Sequence, residues 1–340
     1  MRAAIYNPYL DTLGGGERYS LAFGTALSEA GYKVDVAWKS ASIKKKLEDR
    51  FGLDLSGVNF IKDIKKGDGY DVCFWVSDGS IPLLRARKNF LHFQVPFQKV
   101  NGKTLLNKMK LFRINKIICN SKFTKGFIDN EYGVDSLVIY PPVSVAMLKP
   151  KRKKNWILFV GRFSQLTQAK NQHILVRNFK KLYKFHPDWE LILAGGTEVG
   201  AKDYLHKLER EIEGFPIKII KSPTFKEIVD LYGQSKIFWS AVGFGAKEEK
   251  EPQKVEHFGI TLVEAMAAKV APVVFSAGGY KEIVTDGKDG FLWKSEGELL
   301  KKTKILIEDK VKYNALVENA SVSSQKYDYE RFKSDVGKIL

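Results

Sequence analysis

Short apolar runs alternate with helical stretches along this chain, and that alternation constrains its fold more than any other feature. An apolar run at 3–6 is followed by three glycines and a helical stretch from Glu17 to Ala30, and a second apolar run follows at 34–38. Further short apolar runs occur at 71–76, 89–92 and 116–119. A strand–helix–strand order of this kind predicts a parallel sheet covered by helices.

The alternation stops near the middle of the chain and then begins again. Residues 140–143 contain two prolines, which favour an extended backbone, and residues 149–154 form a charged segment with a proline of its own. A buried strand is predicted directly afterwards, at 156–160, and further apolar runs follow at 190–194, 236–239 and 271–275. We therefore place a domain boundary near residue 148.

The resulting prediction is an α/β protein with two Rossmann-like, doubly wound domains that face each other across a cleft. The first domain spans residues 1–148 and the second spans residues 149–326. Open α/β sheets bind ligands at the carboxyl ends of their strands, so we expect the functional residues at those ends.

Composition narrows the classes of function. With 44% hydrophobic and 28% charged residues, the 340-residue chain has an ordinary globular composition and is long enough for two cores. Its two cysteines exclude a disulfide scaffold and a multi-cysteine metal site. The first residues do not resemble a signal peptide and no apolar run reaches about 18 residues, so we expect a cytoplasmic protein. A net charge of +17 favours anionic partners such as nucleotides, nucleic acid or anionic lipid.

Two carboxylates, Glu256 and Glu264, flank a glycine turn and the start of a predicted helix. Carboxylates accept hydrogen bonds from sugar hydroxyls, and backbone N–H groups at a helix start bind phosphate. Glu264 has a simpler alternative role, because Thr261 and Glu264 have the spacing of a helix capping box. That alternative leaves Glu256 and the Phe258-Gly259 turn unexplained.

Two cations and two glycine pairs are further candidates. Arg162 and Lys170 follow the buried strand at 156–160 and could neutralise a diphosphate leaving group, although a solvated loop would look the same. The glycines at 14–16 and at 278–279 each precede a helical stretch, where the backbone can approach an anion closely. Flexible loops or plain turns are the alternatives at both places.

The string Glu256-His-Phe-Gly-Ile-Thr-Leu-Val-Glu264 resembles the motif of the family 4 glycosyltransferases, which are retaining, nucleotide-sugar-dependent enzymes of the GT-B fold. The form of the string is closest to that of the branch containing the mannosyltransferases that extend lipid-linked oligosaccharides. The resemblance covers nearly the whole chain and includes Gly14–Glu17, Phe159–Arg162 with Lys170-Asn171, Leu193–Gly196 and Gly278–Glu282.

The resemblance implies a role for each candidate residue. Arg162 and Lys170 match the pair that binds the donor diphosphate. Glu264 matches the residue that holds the ribose hydroxyls, and Glu256 matches the residue that holds the transferred sugar. The remaining donor-binding positions are expected to act through their backbone and are Gly15, Gly16, Phe258, Gly259, Ile260, Gly278 and Gly279. Residues 327–340 are expected to form a helix that crosses back onto the first domain.

A lone histidine, His92, ends the apolar run at 89–92. The resemblance implies that it lies close to the transferred sugar, which gives a catalytic set of Glu256, His92, Arg162 and Lys170; a structural histidine is the alternative. Asp78 is a second, weaker candidate at the end of the preceding strand. Ser240 stands where related sequences often carry a histidine, and this departure leaves the identity of the sugar open.

The predicted function is transfer of a hexose from a nucleoside-diphosphate sugar to an acceptor hydroxyl of a glycan or a lipid-linked glycan, with retention of configuration. No Asp-x-Asp motif occurs, so we expect no metal and no cofactor beyond the donor substrate. A nucleotide-sugar epimerase of the same fold is the alternative enzyme. A non-enzymatic polyanion-binding protein is the third hypothesis, but the chain has no nucleic-acid-binding motif, so no specific nucleic-acid partner is expected.

Residues 100–118 suggest a contact with anionic lipid. No carboxylate occurs between Asp78 and Asp129. Within this interval, Leu105, Met109 and Phe112 have the spacing of one helix face, and the basic residues around them are Lys103, Lys108, Lys110, Arg113 and Lys116. An interfacial helix at the inner face of the membrane is one interpretation. The alternative is a helix whose apolar face packs on the first domain.

Overall fold

The computed structural model describes residues 1–165, 168–197 and 201–340, and the chain folds as two α/β units. One unit consists of Met1–Pro142 and Tyr329–Leu340, and the other of Val143–Asp328. The division lies after Pro142, whereas the sequence analysis placed it near residue 148. Val143 belongs to the second unit, where its N–H donates to the carbonyl of Tyr327 at 2.8 Å.

The first unit is built on a parallel sheet of seven strands in the order β3-β2-β1-β4-β5-β6-β7. The strand order reverses beside β1, which has β2 on one side and β4 on the other. The strands are β1 Arg2–Tyr6, β2 Lys33–Ala37, β3 Val58–Ile61, β4 Val72–Val76, β5 Lys88–Phe93, β6 Lys116–Cys119 and β7 Leu137–Val138.

Four helices of this unit connect the strands, and aromatic side chains fill the core beneath the first of them. Phe23 stacks on Phe74 of β4 with a centroid distance of 4.1 Å, and both rings are fully buried. The helices are α1 Gly15–Glu29, α2 Ile43–Phe51, α3 Leu105–Leu111 and α4 Lys122–Tyr132.

The second unit has a parallel sheet of six strands in the order β10-β9-β8-β11-β12-β13. Here the order reverses beside β8, which pairs with β9 and β11. The strands are β8 Trp156–Val160, β9 Glu190–Gly195, β10 Ile217–Lys221, β11 Ile237–Ser240, β12 Ala271–Phe275 and β13 Phe291–Trp293.

The described residues of the second unit form seven α-helices, and the final helix of the chain belongs to the first unit. The second unit contains α5 Gln172–Tyr183, α6 Lys202–Glu211, α7 Phe225–Gln234, α8 Ile260–Ala267, α9 Tyr280–Ile283, α10 Glu296–Glu308 and α11 Lys310–Ser324. The final helix, α12 Tyr329–Gly337, packs on α1, where Phe332 meets the edge of Tyr19 at 5.3 Å between ring centroids. No helix in the described part of the chain is both long enough and apolar enough to cross a bilayer.

Candidate functional site

The predicted motifs of the second unit lie at the carboxyl ends of its strands. Arg162 follows β8, and the glycines at 278 and 279 follow β12. Beside them β9 ends at Gly195, where a Cβ atom would lie 1.9 Å from the carbonyl oxygen of Gly161, so only glycine permits the two backbones to approach this closely. Ligands of open α/β sheets bind at this edge, next to the point where the strand order reverses.

Lys170 and Glu256 form an ion pair at this edge. Nζ of Lys170 lies 3.0 Å from Oε2 of Glu256, and the two side chains are only 11% and 16% exposed. Gln168 supports the pair: its Oε1 accepts a hydrogen bond from the same Nζ at 2.8 Å, and its Nε2 donates to the carbonyl of Val255 at 2.7 Å. A cation and a carboxylate of the predicted set are thus brought together at one place.

Arg162 lies at the other end of the loop that joins β8 to α5. Its carbonyl accepts a hydrogen bond from Nε2 of Gln172 at 2.8 Å, which fixes the backbone at the start of the loop. Lys170 precedes the first residues of α5. Arg162 and Lys170, the two residues predicted to bind the diphosphate, therefore lie near opposite ends of one loop.

Two glycines of the predicted donor site, Gly259 and Gly278, combine a positive φ with contacts that leave no room for a side chain. Gly278 has a φ of +56°, and a Cβ there would lie 2.1 Å from the carbonyl oxygen of Glu256. That same oxygen accepts a hydrogen bond from the N–H of Gly279 at 2.8 Å. Gly259 has a φ of +117°, and its Cβ would collide with the ring of Tyr280 at 2.6 Å. The turn after Glu256 and the turn after β12 therefore pack directly against each other.

The predicted capping box of α8 is absent, so the simpler role of Glu264 is wrong. The helix begins at Ile260 after Gly259, whose left-handed backbone precedes the first turn, and Thr261 is already helical. The Glu264 carboxylate is buried and its Oε2 accepts a hydrogen bond from the hydroxyl of Tyr232 at 3.0 Å. The positive φ of Gly259 places the helix start before Thr261.

Ser240, the residue that departs from the family pattern, is fully buried at the end of β11. Its hydroxyl lies 2.8 Å from the hydroxyl of Tyr280. Burial raises the pKa of Tyr280 well above its ordinary value, and the negative charge of Glu256 raises it further. The Tyr280 hydroxyl therefore stays protonated and can donate a hydrogen bond.

Among the described residues, Gln168, Tyr232 and Glu248 contact this site and were not predicted from the sequence. Gln168 holds Lys170, and Tyr232 holds Glu264. Glu248 accepts a hydrogen bond from the N–H of Gly278 at 2.9 Å and pairs with Lys281. Gln168 could have been noticed because it lies two positions before Lys170, but nothing in the spacing of Tyr232 or Glu248 indicates their contacts.

The glycines of the first unit lie in the first turn of α1. Gly15 and Gly16 follow Gly14, whose N–H donates to Oε2 of Glu17 at 2.7 Å. A Cβ on Gly16 would lie 1.9 Å from Oε1 of Gln94, so the amide of Gln94 lies against the glycine backbone. A carboxylate of the chain itself therefore contacts the start of this helix.

The structure contradicts the prediction that His92 faces a ligand. His92 is fully buried inside β5, between Tyr19 at 4.1 Å and Phe74 at 5.3 Å between ring centroids. Its Nδ1 lies 3.1 Å from the carbonyl oxygen of Ile118. Burial lowers the pKa of His92 to about 3, so the ring is neutral. A neutral ring enclosed by aromatic side chains is packed as a core histidine, the structural role that the sequence analysis gave as the alternative. Asp78, in contrast, is exposed and accepts hydrogen bonds from Ser80.

The apolar face predicted at residues 100–118 is exposed, so the alternative that it packs on the first domain is wrong. We define the α3 patch as Leu105, Leu106, Met109 and Phe112, which are 75%, 61%, 60% and 89% exposed. The opposite side of α3 is anchored, because Leu111 packs against the core of the first unit. The patch therefore points away from the unit that carries it.

No group of three or more His, Cys, Asp or Glu side chains in the described ranges is arranged to hold a metal ion. The cations and backbone N–H groups at the edge of the second sheet are instead suited to an anionic ligand. Carboxylates within the same group can accept hydrogen bonds from hydroxyl groups. The cations, N–H groups and carboxylates together suit a ligand that carries both phosphate and hydroxyl groups.

A family model described as "Glycosyl transferases group 1" matches residues 145–322. An uncharacterised glycosyltransferase of Methanocaldococcus jannaschii is 30% identical over 229 residues, which cover 66% of this chain and 59% of that protein. The O-antigen chain mannosyltransferase RfbU of Salmonella typhimurium is 29% identical over 294 residues, covering 82% and 75%. For several curated relatives, the match spans little more than half of their length.

The fold is shared with solved structures. The crystal structure of Anabaena HepE in complex with UDP and glucose superposes with a TM-score of 0.77 at 19% identity, covering 99% of this chain and 98% of that one. At this identity the similarity establishes the architecture, which agrees with the predicted GT-B class of two Rossmann-like units.

Proposed function

This chain belongs to the group 1 glycosyltransferases, and from that premise we propose that it transfers a hexose from a nucleoside-diphosphate sugar to an acceptor hydroxyl with retention of configuration. The observation that carries the proposal is the Lys170–Glu256 ion pair beside the Gly278-Gly279 turn. This arrangement offers a cation for the departing diphosphate and a carboxylate for the sugar within one group of contacts.

Each part of the donor has a proposed partner in the second unit. Arg162 and Lys170 bind the diphosphate and stabilise the negative charge that develops as the bond to the sugar breaks. Glu264 accepts hydrogen bonds from the ribose hydroxyls, and Glu256 accepts them from the transferred hexose. The N–H groups at the start of α8 add further donors for phosphate oxygens.

We also propose that the reaction needs no metal ion. Cationic side chains and helix N–H groups can neutralise a diphosphate without a divalent cation. Transfer in the presence of EDTA should then proceed at the rate measured with added magnesium. A rate that collapses with EDTA and returns with magnesium would overturn this part of the proposal.

The acceptor is proposed to be a glycan or a lipid-linked glycan, at the cytoplasmic face of a membrane. Two of the relatives are named as an O-antigen chain mannosyltransferase and a lipopolysaccharide core biosynthesis mannosyltransferase. These names support a growing glycan as the acceptor class. The exposed α3 patch, with Lys103, Lys108 and Lys110 close to it in sequence, supports contact with anionic lipid.

The test begins with binding of nucleoside diphosphates, measured as a shift in the thermal unfolding midpoint. Binding at 100 times Kd stabilises a protein by about 2.7 kcal/mol, which is readily detected. Lys170→Ala should weaken binding of the preferred nucleoside diphosphate by about 1.5–3 kcal/mol, the scale of a hydrogen bond to a charged group. The nucleoside alone should lose far less.

The second step of the test is turnover. Glu256→Gln should lower kcat strongly in a folded protein, because the variant keeps the size of the side chain but loses its charge. Glu318→Gln is the matched control, since Glu318 also pairs with a lysine of the second unit, Lys269, but at the surface. Wild-type turnover in Glu256→Gln would remove Glu256 from the mechanism.

The product assay separates this function from the epimerase alternative. A transferase needs an acceptor to consume the donor at its full rate, whereas an epimerase converts the donor sugar without one. Donor conversion to an epimeric nucleotide sugar in the absence of any acceptor would contradict the proposal.

A further inference from the structure

The carboxylate of Glu264 is held by a tyrosine from a different helix. Tyr232 lies in the last turn of α7 and is fully buried. Its hydroxyl oxygen lies 3.0 Å from Oε2 of Glu264 and 3.0 Å from the carbonyl oxygen of Thr261. Both acceptors belong to α8, so this one hydroxyl contacts the backbone of the helix and its buried carboxylate together.

The end of α7 is itself held in place, which fixes the ring of Tyr232. The segment before β8 runs along it, with the N–H of Lys151 donating to the carbonyl of Gly233 at 2.9 Å. Lys153 reaches further: its Nζ donates to the carbonyl of Ala268, at the end of α8, at 2.7 Å and lies 3.4 Å from the carbonyl oxygen of Tyr232. The C-terminal ends of α7 and α8 are therefore tied to one lysine.

We propose that Tyr232 is a positioning residue for nucleotide recognition, and that its hydroxyl sets the orientation of the Glu264 carboxylate toward the ribose hydroxyls. The inference rests on the proposed function, in which Glu264 binds the ribose. Tyr232 need not touch the nucleotide, because it acts through the carboxylate that does.

The physical reason lies in the last torsion angle of a glutamate side chain, which is broad and poorly defined by sterics alone. A donor that is fixed in the protein selects one orientation before the ligand arrives. Binding of the ligand then does not include the free-energy cost of ordering the carboxylate, so the affinity is higher. The loss of the hydroxyl should therefore appear in binding and not in the chemical step.

The test is Tyr232→Phe in the full-length protein, which removes the hydroxyl and keeps the buried ring. We expect the Kd for the preferred nucleoside diphosphate, chosen among UDP, GDP and ADP with the wild type, to rise by about five- to twenty-fold. The KM for the donor should rise by the same factor, with kcat within about two-fold of wild type. Inorganic pyrophosphate, which lacks a ribose, should bind both proteins equally.

A double-mutant cycle tests whether the hydroxyl acts through Glu264. Glu264→Gln alone should weaken nucleotide binding, and adding Tyr232→Phe should cause little further loss, because the group it positions has already been changed. Tyr313→Phe is the control, since it removes a hydroxyl of the same unit that donates to the carbonyl of Lys236 at 3.4 Å. The control should leave nucleotide affinity unchanged.

The outcomes separate failure of this inference from failure of the proposed function. If Glu264→Gln leaves nucleotide affinity unchanged, the proposed role of Glu264 itself is wrong. If Glu264→Gln weakens binding but Tyr232→Phe does not, or if the two effects multiply, the positioning role is wrong while the proposed function stands. An equal loss of pyrophosphate affinity in Tyr232→Phe would also overturn it, because the defect would then extend beyond the ribose.

Discussion

Position 278 requires glycine for two reasons, its backbone conformation and the lack of space for a side chain. Its φ is +56°, and the space where a Cβ would stand is occupied by the carbonyl oxygen of Glu256 at 2.1 Å. That oxygen also accepts the hydrogen bond from Gly279, so the turn after β12 fixes the turn that carries Glu256. A side chain at position 278 would therefore displace the backbone of Glu256, a residue of the candidate site.

We expect Gly278→Ala to lower both stability and turnover. Gly287→Ala is the matched control, because Gly287 also has a positive φ, +77°, but no atom within 4 Å of its would-be Cβ. The control should cost only the backbone strain, about 1 kcal/mol, and keep its activity. Urea unfolding and initial rates on both variants would check this. Equal losses in the two variants would show that the contact with Glu256 is unimportant.

The buried His92 should make stability depend on pH. Its pKa is about 3 in the folded protein against an ordinary 6.5, so between these values the unfolded chain binds the additional proton. Stability should thus fall as pH decreases from 6.5, by up to about 1.4 kcal/mol for each pH unit from this group. We expect His92→Phe to flatten the curve of unfolding free energy between pH 4 and 6.5 relative to wild type. Parallel curves would contradict the assignment.

His92 also shows where sequence reasoning failed at this scale. A residue can be placed at the carboxyl edge of a sheet only when the end of its strand is known. The apolar run at 89–92 predicts a strand that ends at His92, whereas β5 continues to Phe93 and the His92 ring lies in the aromatic core. Lys170 and Glu256 each belong to a motif that the sequence shows, so their contact joins two predicted residues. Tyr232 and Glu264 are 32 positions apart in the sequence, and no local pattern indicates their hydrogen bond.

At the scale of elements, strands with an uninterrupted apolar run were predictable from the sequence. The five apolar runs of the first half correspond to β1, β2, β4, β5 and β6. The outer strands β3 and β7 were not predicted. In β3, Asn59 interrupts the apolar run, whereas β6, which also has four residues, contains three consecutive apolar ones. β7 has only two residues, too few for a hydrophobic pattern. The start of α8 was placed too late because the sequence cannot show the left-handed backbone of Gly259.

The α3 patch is fixed in position by the segment that precedes it. The N–H groups of Lys99, Val100 and Gly102 all donate to the carboxylate of Glu131 at 2.9–3.1 Å. Thr104 then caps the helix by accepting a hydrogen bond from the N–H of Asn107 at 3.3 Å. A short helix that exposes four large apolar side chains is thus held firmly on the first unit, as an interfacial helix requires.

We expect the wild-type protein to co-sediment with anionic vesicles at low salt, to be released by added salt, and to ignore neutral vesicles. Each basic residue near such a surface contributes about 1 kcal/mol, so charge reversal of Lys103, Lys108 and Lys110 to Glu should abolish binding. The same reversal at 44–46, a lysine run in α2, changes the net charge equally and should weaken binding much less. Equal losses would show a general charge effect and remove the α3 patch from the proposal.

At the scale of the whole molecule, the second unit is continuous in sequence while the first is not. Its two ends meet each other, since the N–H of Val143 donates to the carbonyl of Tyr327 and the N–H of Val145 to Oδ1 of Asp328. A unit whose ends are joined by its own hydrogen bonds and whose core is its own can fold independently. The first unit, in contrast, needs α12 from the far end of the chain to cover Tyr19.

This difference leads to a prediction for residues 143–328 expressed alone. Lys170, Glu256 and Glu264, with the contacts that hold them, all lie within these residues, so the fragment should fold cooperatively and bind the nucleoside diphosphate. It should not transfer sugar, because the glycines of α1 and the α3 patch belong to the other unit. Calorimetric titration of the fragment, with Glu264→Gln as the control, checks this. A folded fragment that binds no nucleotide would show that the donor site requires residues of the first unit.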